Sequence, residues 1–300
     1  MRTYSRMHNS YVNADIVPFD KDSKIIMFSD VHRGDNSVSD EFAHNQYIYY
    51  HALNTYLNEG YTYIELGDGD ELWEHGKFKH VRFAHRDIYG ILKKFHQDNR
   101  FIFLYGNHNM ELKYPRYVAK NLQRYYNEYD EREEKLFENI KVHEAIRLIN
   151  QDEEIELFAV HGHQGDLIND QLWLITRFFN RHFWRYMHIV GFRNPASPAK
   201  NVHKMHKIEK RCNKFIRRHK IPIIIGHTHR PKFPKNGDLP YFNTGCCIHP
   251  RKINGIEIVN NEISLIEWRV FVSEEGKMII RKNIVKGPES LKNICKARCQ

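Results

Sequence analysis

The chain has 300 residues, a mass of 36.1 kDa and a formal net charge of +9 at pH 7. It contains no run of about 18 uncharged apolar residues and no charged-then-apolar segment at its start, so we expect neither a membrane-spanning helix nor a secretory signal. Its five cysteines are odd in number and match no zinc-binding spacing. We therefore expect reduced thiols and a cytoplasmic location.

Five apolar runs of strand length occur along the chain, and each is followed directly by an island rich in His, Asp or Asn. The predicted strands are residues 24–29, 61–66, 101–105, 155–160 and 221–225. The islands are Asp30-Val31-His32, Gly67-Asp68-Gly69-Asp70-Glu71, Gly106-Asn107-His108-Asn109, His161-Gly162-His163 and Gly226-His227-Thr228-His229. Because ligand chemistry in layered α/β proteins gathers at the carboxyl ends of strands, we expect the islands to converge on one crevice. An extended backbone would direct Asp30 and His32 to the same side, and likewise His227 and His229.

Helical periodicity appears between the islands. Residues 40–58 carry apolar positions at helical spacing after Ser39, a candidate N-cap, and residues 81–95 show a similar pattern. The sequence after Tyr241 predicts β-strands instead. Two hairpins are predicted there, pairing residues 256–259 with 263–268 and residues 269–272 with 278–284.

The residue types in the islands indicate a metal site. Carboxylate oxygen, imidazole nitrogen and amide oxygen together suit borderline divalent ions such as Mn, Fe, Zn or Co, and no thiolate occurs in any island. The islands provide enough ligands for two ions. A carboxylate shared by two ions about 3.5–4 Å apart suits phosphoryl chemistry, because the ions clamp the attacking and leaving oxygens.

The ordered motifs DxH, GD, GNH, a His-Gly pair and GHTH resemble the calcineurin-like metallophosphoesterase superfamily over about residues 24 to 250. The resemblance implies an α+β fold with α/β-type layers, in which two mixed β-sheets pack as a sandwich flanked by helices. It also implies one domain over residues 1–300. The cofactors implied are two divalent metal ions, drawn from Mn, Fe, Zn, Co or Ni.

The resemblance also implies roles for individual residues. The first ion would take Asp30, His32, Asp68 and His229. The second would take Asp68, Asn107, His161 and His227, which makes Asp68 the bridging carboxylate. His108 matches the position that contacts the substrate phosphate and assists the leaving group, so the catalytic set is His108, Asp68 and Asn107. His163 is assigned to substrate contact or to orienting a ligand, with a structural role as the alternative.

Two positions depart from the family pattern. The third island usually ends in Asp, whereas this chain has Asn109, which cannot stabilise an imidazolium as a carboxylate would. We therefore predict a lowered pKa for His108. The second island reads GDGDELW where protein Ser/Thr phosphatases carry GDxVDRG, and the missing Arg disfavours a protein phosphatase.

A basic helical insert is predicted at residues 167–220. Residues 177–220 carry a net charge of +12, which leaves −3 for the rest of a chain whose total is +9. An apolar stripe steps by three or four through Ile168, Leu172, Ile175, Phe179, Phe183, Met187 and Val190. Arg177, Arg181 and Arg185 follow a neighbouring face. A second helix would turn Met205, Ile208, Cys212 and Phe215 inward.

The insert has two interpretations. It is either a solvated pair of helices whose apolar stripe packs on the core, or a cap that recruits an anionic or amphiphilic substrate through Arg177, Arg181 and Arg185. Its position resembles the helical insert of the UDP-2,3-diacylglucosamine pyrophosphatase branch. That branch has Arg where this chain has His108, so the resemblance is one of architecture more than of substrate.

Three functions follow from these patterns. The favoured one is a two-metal hydrolase of phosphodiester, pyrophosphate or phosphomonoester bonds, acting on an anionic phosphate ester that is nucleotide-linked or lipid-linked, with peripheral membrane contact through the insert. A DNA or RNA nuclease is the second, although no aromatic stacking motif accompanies the basic insert. The third is a non-catalytic metal-binding scaffold, which the intact ligand set disfavours.

Overall fold

The computed structural model describes residues 3–184, 187, 201–235 and 237–298. Its strands are β1 (Asp15–Pro18), β2 (Lys24–Phe28), β3 (Thr62–Leu66), β4 (Phe101–Leu104), β5 (Arg124–Asn127), β6 (Arg132–Lys135), β7 (Val142–His143), β8 (Ala145–Asn150), β9 (Ile155–Val160), β10 (Ile223–Ile225), β11 (Tyr241–Asn243), β12 (Lys252–Val259), β13 (Glu262–Val272) and β14 (Met278–Ser290). Its α-helices are α1 (Thr3–Val12), α2 (Gln46–Asn58), α3 (Phe78–Ala84), α4 (Arg86–Gln97), α5 (Pro115–Asn121), α6 (Trp173–Phe179), α7 (Val202–His219) and α8 (Leu291–Arg298). None of the helices in the described residues is long and apolar enough to cross a membrane.

Two mixed sheets contain most of the strands. The seven-stranded sheet has the order β14-β13-β12-β2-β3-β4-β7, with β2, β3, β4 and β7 parallel and β12 to β14 antiparallel. The five-stranded sheet has the order β1-β8-β9-β10-β11, in which β9, β10 and β11 are parallel. Strands such as β2 and β10 are continuous apolar runs because both of their faces are buried.

The sheets pack face to face between two outer layers of helices. Met27 and Leu66 of the larger sheet and Leu157 and Ile224 of the smaller one belong to a single buried cluster between the sheets. A second cluster covers the other face of the larger sheet with α2 and α4, and a third covers the smaller sheet with α1 and α7. This four-layer α+β sandwich is the predicted fold class.

The five strands before the islands, and both hairpins, lie where the sequence places them, although β13 is one long strand that serves both hairpins. Two helix predictions need correction. The helix expected over 40–58 begins as a 3₁₀ turn, Glu41–Asn45, whose N-cap is Asp40 and not Ser39, because the Asp40 carboxylate accepts the Phe42 and Ala43 N–H groups. The helix expected over 81–95 is two helices, α3 and α4, separated at His85.

The insert divides into two different parts. Residues Leu167–Gln171 and Asn180–Trp184 form π-helical turns on either side of α6, and the apolar stripe there faces solvent, with Ile175 and Phe179 each 55% exposed. Of the two interpretations of the insert, the one in which this stripe packs on the core is therefore wrong for the described part. By contrast, α7 buries Ile208, Cys212 and Phe215 against the smaller sheet, as predicted, whereas Met205 of the same prediction is only half-buried. Arg185 and Val190 lie outside the described residues.

Candidate metal centre

All five islands meet at the carboxyl ends of β2, β3, β4, β9 and β10, where the central strands of the two sheets stop. Five of the predicted ligands have left-handed backbones, with φ of 50° at Asp30, 53° at His32, 52° at Asp68, 63° at His227 and 56° at His229. A left-handed conformation costs a non-glycine residue on the order of 1–3 kcal/mol of conformational free energy, and such residues are enriched at functional sites. The expected extended geometry is therefore wrong for Asp30-Val31-His32 and for His227-Thr228-His229. His227 and His229 consequently belong to different groups of ligand atoms.

In the carboxylates of Asp30 and Asp68, one oxygen accepts a backbone hydrogen bond and the other faces the imidazole rings. Asp30 Oδ2 accepts the His227 backbone N–H at 2.8 Å and contacts the Ser29 hydroxyl. Asp68 Oδ1 accepts the His108 backbone N–H at 2.7 Å. Asp30 Oδ1 and Asp68 Oδ2 are consequently the oxygens that face the ring nitrogens, in the orientation that metal ligands need.

Three groups of possible ligand atoms lie in the described part of the chain. One joins His32, Glu71 and His108, and the other two contain only predicted ligands. In the first of these two clusters, which joins Asp30, His32 and His229, His229 Nε2 lies 3.1 Å from Asp30 Oδ1 and 3.3 Å from His32 Nε2. In the second, which joins Asp68, His161 and His227, His161 Nε2 lies 3.0 Å from Asp68 Oδ2. The clusters adjoin, since Asp68 Oδ2 is also 3.9 Å from His32 Nε2.

Unpaired atoms in this centre fit divalent cations. Asp30 Oδ1, Asn107 Oδ1, His161 Nε2 and His227 Nε2 are buried and make no hydrogen bond of acceptable geometry among the described residues. The contacts of Asp30 Oδ1 with His229 and of His161 Nε2 with Asp68 are close but poorly directed. Buried polar atoms normally have hydrogen-bond partners. Four predicted ligand atoms without such a bond therefore indicate that a bound group satisfies them. His161 Nδ1 lies 3.0 Å from the Leu66 carbonyl, a contact that assigns the proton to Nδ1 and leaves the Nε2 lone pair for a metal.

The island glycines permit this close approach. A Cβ at Gly106 would collide with the Asp68 carboxylate, and one at Gly226 would collide with the Asp30 carboxylate. Gly67 has a φ of +84°, and its Cβ would press on the His161 ring. These positions require glycine because a ligand side chain packs directly on their backbone.

Burial and mutual charge perturb the pKa values of the ligands. Burial alone would raise the pKa of Asp30, but the facing His229 and His161 imidazoles lower it to about 2. Burial on its own would lower the pKa of His161. The Asp68 and Asp30 carboxylates have the larger combined effect and raise that pKa to about 9. Burial, reinforced by His161, lowers the pKa of His227 to about 3. Strongly opposed pKa shifts of this kind are typical of functional sites.

His108 lies at the mouth of the centre, with 23% of its side chain exposed. Its Nδ1 is 2.6 Å from Glu71 Oε2, and although burial opposes it, this carboxylate raises the pKa of His108 to about 9. The predicted lowering of the His108 pKa is thus wrong, because Glu71 supplies a negative charge that position 109 lacks. Sequence reasoning missed Glu71, although it lies in the second island.

The residues predicted to contact substrate have different surroundings. His163 is completely buried, its ring lies 5.5 Å from that of His161, and neither ring nitrogen has a partner among the described residues. Arg177 pairs with Glu111 at 2.7 Å. Arg181 donates to the carbonyls of Leu72 and Trp73, which follow the second island, at 2.6 and 3.2 Å. Their roles toward substrate remain predictions, as does that of Arg185, which lies outside the described residues.

A buried ion-pair network beneath the centre was also missed by sequence reasoning. The Arg33 guanidinium donates to both oxygens of Glu65 at 2.7 and 2.6 Å and to Asp70 at 2.8 Å. Tyr89 and Tyr63 add hydroxyl donors to Asp70 and Glu65. Because Arg33 belongs to the loop of the first island and Asp70 to the second, the network ties two ligand loops together.

Comparison with known proteins gives little support for a specific relationship. No family model and no curated protein sequence matches the chain. Among solved structures it is similar to a "Putative 5'-Nucleotidase from Staphylococcus aureus in complex with alpha-ketoglutarate", with 14% sequence identity and a TM-score of 0.38. The match covers 89% of this chain and 55% of that one, so the chain spans about half the length of that protein. A match at this level carries no argument about activity.

Proposed function

We propose that the chain is a two-metal hydrolase of phosphodiester, pyrophosphate or phosphomonoester bonds. The observation that carries the proposal is the pair of adjoining Asp/His clusters with orphaned, buried ligand atoms. Asp30, His32, Asp68 and His229 would hold one ion, and Asp68, Asn107, His161 and His227 the other. Bound divalent ions supply Lewis-acid stabilisation of phosphoryl charge and lower the pKa of water.

The side chains of the centre have separate tasks in this proposal. The carboxylates of Asp30 and Asp68 set the negative charge of the site, and their backbone hydrogen bonds fix which oxygen faces inward. His108, which lies at the mouth of the centre with its pKa raised by Glu71, is placed to donate a proton to the leaving oxygen. Loss of that proton leaves a neutral imidazole and a neutral leaving group.

We assign substrate recruitment to Arg177, Arg181 and Arg185, with an anionic phosphate ester as the ligand class. To the buried His163 we assign contact with bound substrate or orientation of the ligand His161. Support comes from Arg177 and Arg181, which lie on the segment that packs against Trp73 and Glu111 beside His108. Replacing Arg177 and Arg181 with Gln is expected to raise KM more than it lowers kcat. Added salt should mimic the change, because partly exposed charges are screened over roughly 8–10 Å at moderate ionic strength. Equal KM values and an unchanged salt response would remove the two arginines from the proposal.

The proposal is tested with the full chain stripped of metal by a chelator. Hydrolysis of bis-p-nitrophenyl phosphate, p-nitrophenyl phosphate, a nucleoside diphosphate sugar and single-stranded DNA is measured with and without added Mn²⁺, Zn²⁺ or Co²⁺. We expect at least one ester to be cleaved only with metal, and Asp68→Asn to lose that activity. The exposed Asp22 provides a matched control, since Asp22→Asn lies outside the centre.

The outcomes separate the alternatives. Cleavage confined to DNA would support the nuclease hypothesis. The basic face that could bind DNA is on α7 and consists of the exposed residues Lys207, Lys210, Lys214, Arg217 and Arg218. Metal binding without hydrolysis of any substrate would support a scaffold. Hydrolysis that is indifferent to chelator and to Asp68→Asn would refute the proposed function.

A further inference from the structure

A cleft of about 650 Å³ opens between the loop that follows the first island, the helices α3 and α4, and the turn that joins β5 to β6. Asp35 and Asn36 form one wall, Phe83 and Arg86 the second, and Glu128 the third. Its volume lies in the range of about 300–1,000 Å³ that is typical of small-molecule sites. None of the residues that line the cleft is a predicted metal ligand, so it lies outside the candidate metal centre.

The two carboxylates that line the cleft have partners of their own. The buried Arg82 donates to Glu128 Oε2 at 3.1 Å and to the Tyr126 carbonyl at 3.2 Å, which ties the turn to α3. On the opposite wall, His75 Nδ1 lies 3.1 Å from Asp35 Oδ2. Because Arg82 offsets the charge of Glu128, the walls are fixed in place without making the cleft closed to an anionic group.

Phe83 and the neighbouring Tyr129 provide an exposed aromatic surface at the cleft. Their side chains are 40% and 68% exposed, and their rings are nearly parallel, at 9°, with centroids 6.4 Å apart. The guanidinium carbon of Arg86 lies 5.7 Å from the Phe83 centroid and 5.0 Å from the Tyr129 centroid. Exposed aromatic rings beside a guanidinium form a stacking surface for a planar ring, and nucleobases of every kind stack on such surfaces.

Polar side chains around this aromatic surface match the other parts of a nucleotide. Lys79 and His80 are exposed on α3 and also line the cleft, and an ammonium and an imidazole N–H both donate to phosphate oxygens. The carboxylates of Asp35 and Glu128 accept hydrogen bonds from the amino groups of a base or the hydroxyls of a ribose, and the Asn36 amide both donates and accepts. A ligand with a planar ring, hydroxyl groups and a phosphate would use all of these groups.

We propose that this cleft binds a nucleoside phosphate, with the base stacked on Phe83 and the phosphate beside Lys79 and His80. The inference goes beyond the proposed hydrolase activity, because the cleft contains none of the residues assigned to that activity. An anion without a base would not need the aromatic surface, and an uncharged aromatic compound would not need Lys79. Tight binding should therefore require both the base and the phosphate in one molecule.

The test measures the binding of AMP, GMP, CMP and UMP to the full chain by calorimetry, after a chelator has removed metal so that no ion holds the phosphate. We expect at least one mononucleotide to bind about 10-fold or more tightly than ribose 5-phosphate and than its own nucleoside. Phe83→Ala should weaken the binding of that mononucleotide by roughly 5–150-fold, the loss typical of one base-stacking aromatic residue. Lys79→Gln should weaken it by about threefold or more and leave binding of the nucleoside within about twofold.

The strand β13 offers a matched control. The guanidinium carbon of Arg269 lies 4.9 Å from the centroid of the Phe271 ring, so this pair resembles Arg86 and Phe83 but lies outside the cleft. Phe271→Ala should bind the mononucleotide within about twofold of the wild-type affinity. The variants Arg86→Gln and Arg269→Gln form a second matched pair, in which only the first should weaken binding, and they keep the test decisive if Phe83→Ala does not fold.

Three results would overturn the proposal. The first is that none of the four mononucleotides binds saturably at concentrations up to about 10 mM. The second is that ribose 5-phosphate binds as tightly as the mononucleotide, because the cleft would then be a site for anions only. The third is that the cleft variants and their β13 controls have equal affinities, which would place the bound nucleotide elsewhere on the chain.

Discussion

Arg33 offers a quantitative test of how the centre is built. Its guanidinium is completely buried and makes three charge-assisted hydrogen bonds, two to Glu65 and one to Asp70, which are also completely buried. Arg33→Met would leave both carboxylates in the interior without a counter-charge. Removing one partner of a buried ion pair costs about 3–5 kcal/mol, and two stranded carboxylates place the expected loss at the upper end of that range.

The assay is urea unfolding of the chelator-treated protein, followed by circular dichroism. Lys135→Met is the matched control, since Lys135 pairs with Glu138 at a similar distance, 2.7 Å, but on the surface. The control should lose about 0–1 kcal/mol of unfolding free energy. The triple change Arg33→Met, Glu65→Gln and Asp70→Asn should be less destabilising than Arg33→Met alone, because it leaves no buried charge unpaired. A loss below about 1 kcal/mol for Arg33→Met, or equal losses for Arg33→Met and Lys135→Met, would refute this account of the network.

Three further predictions concern the centre itself. His108→Ala should lower turnover by ~100-fold or more while metal content stays constant, with smaller losses on substrates that have good leaving groups; loss of metal would show that His108 is a ligand instead. Gly106→Ala should weaken Mn²⁺ binding by roughly 10–100-fold because its Cβ collides with Asp68. Gly90→Ala, on a helix surface with open space around it, should bind Mn²⁺ normally and gain about 0.5–1 kcal/mol of stability. Equal Mn²⁺ affinities for the two glycine variants would contradict the close approach at Gly106. Metal uptake at pH 7 should release protons, because the pKa of His161 is about 9 and its Nε2 must be deprotonated to bind. The affinity for the metal ion should therefore rise with pH up to about 9. Calorimetry in buffers of different ionisation enthalpy measures the proton release directly, and a binding enthalpy that does not depend on the buffer would contradict it.

The strands and the location of the centre were predictable because their signals are local. Strands such as β2, β9 and β10 are short apolar runs, and the ligand-bearing islands follow them directly along the chain. Parallel pairing brings the first three islands together at the end of the larger sheet and the last two together at the end of the smaller one. The packing of the two sheets then joins the two groups. Hairpins such as β12 and β13, joined at Asn260 and Asn261, are likewise encoded by neighbouring residues.

The errors came from features that depend on tertiary contacts. The left-handed backbones of Asp30 and His32 lie in a loop that the Arg33 network ties to the second island, and no pattern in the first island reveals them. Glu71 acquires its contacts with His108 and His32 only when three loops meet. The exposed stripe around α6 has the same periodicity as a buried one, and periodicity alone cannot say whether a partner surface exists.

The central claim is that two adjoining clusters hold two ions through a shared Asp68. Titration of the metal-stripped chain with Mn²⁺, followed by metal analysis and electron paramagnetic resonance, tests it most directly. The account predicts two ions per chain with a magnetically coupled spectrum, one uncoupled ion in His227→Ala and severe loss of both ions in Asp68→Ala. A wild-type chain that binds one isolated ion, or none, would contradict it.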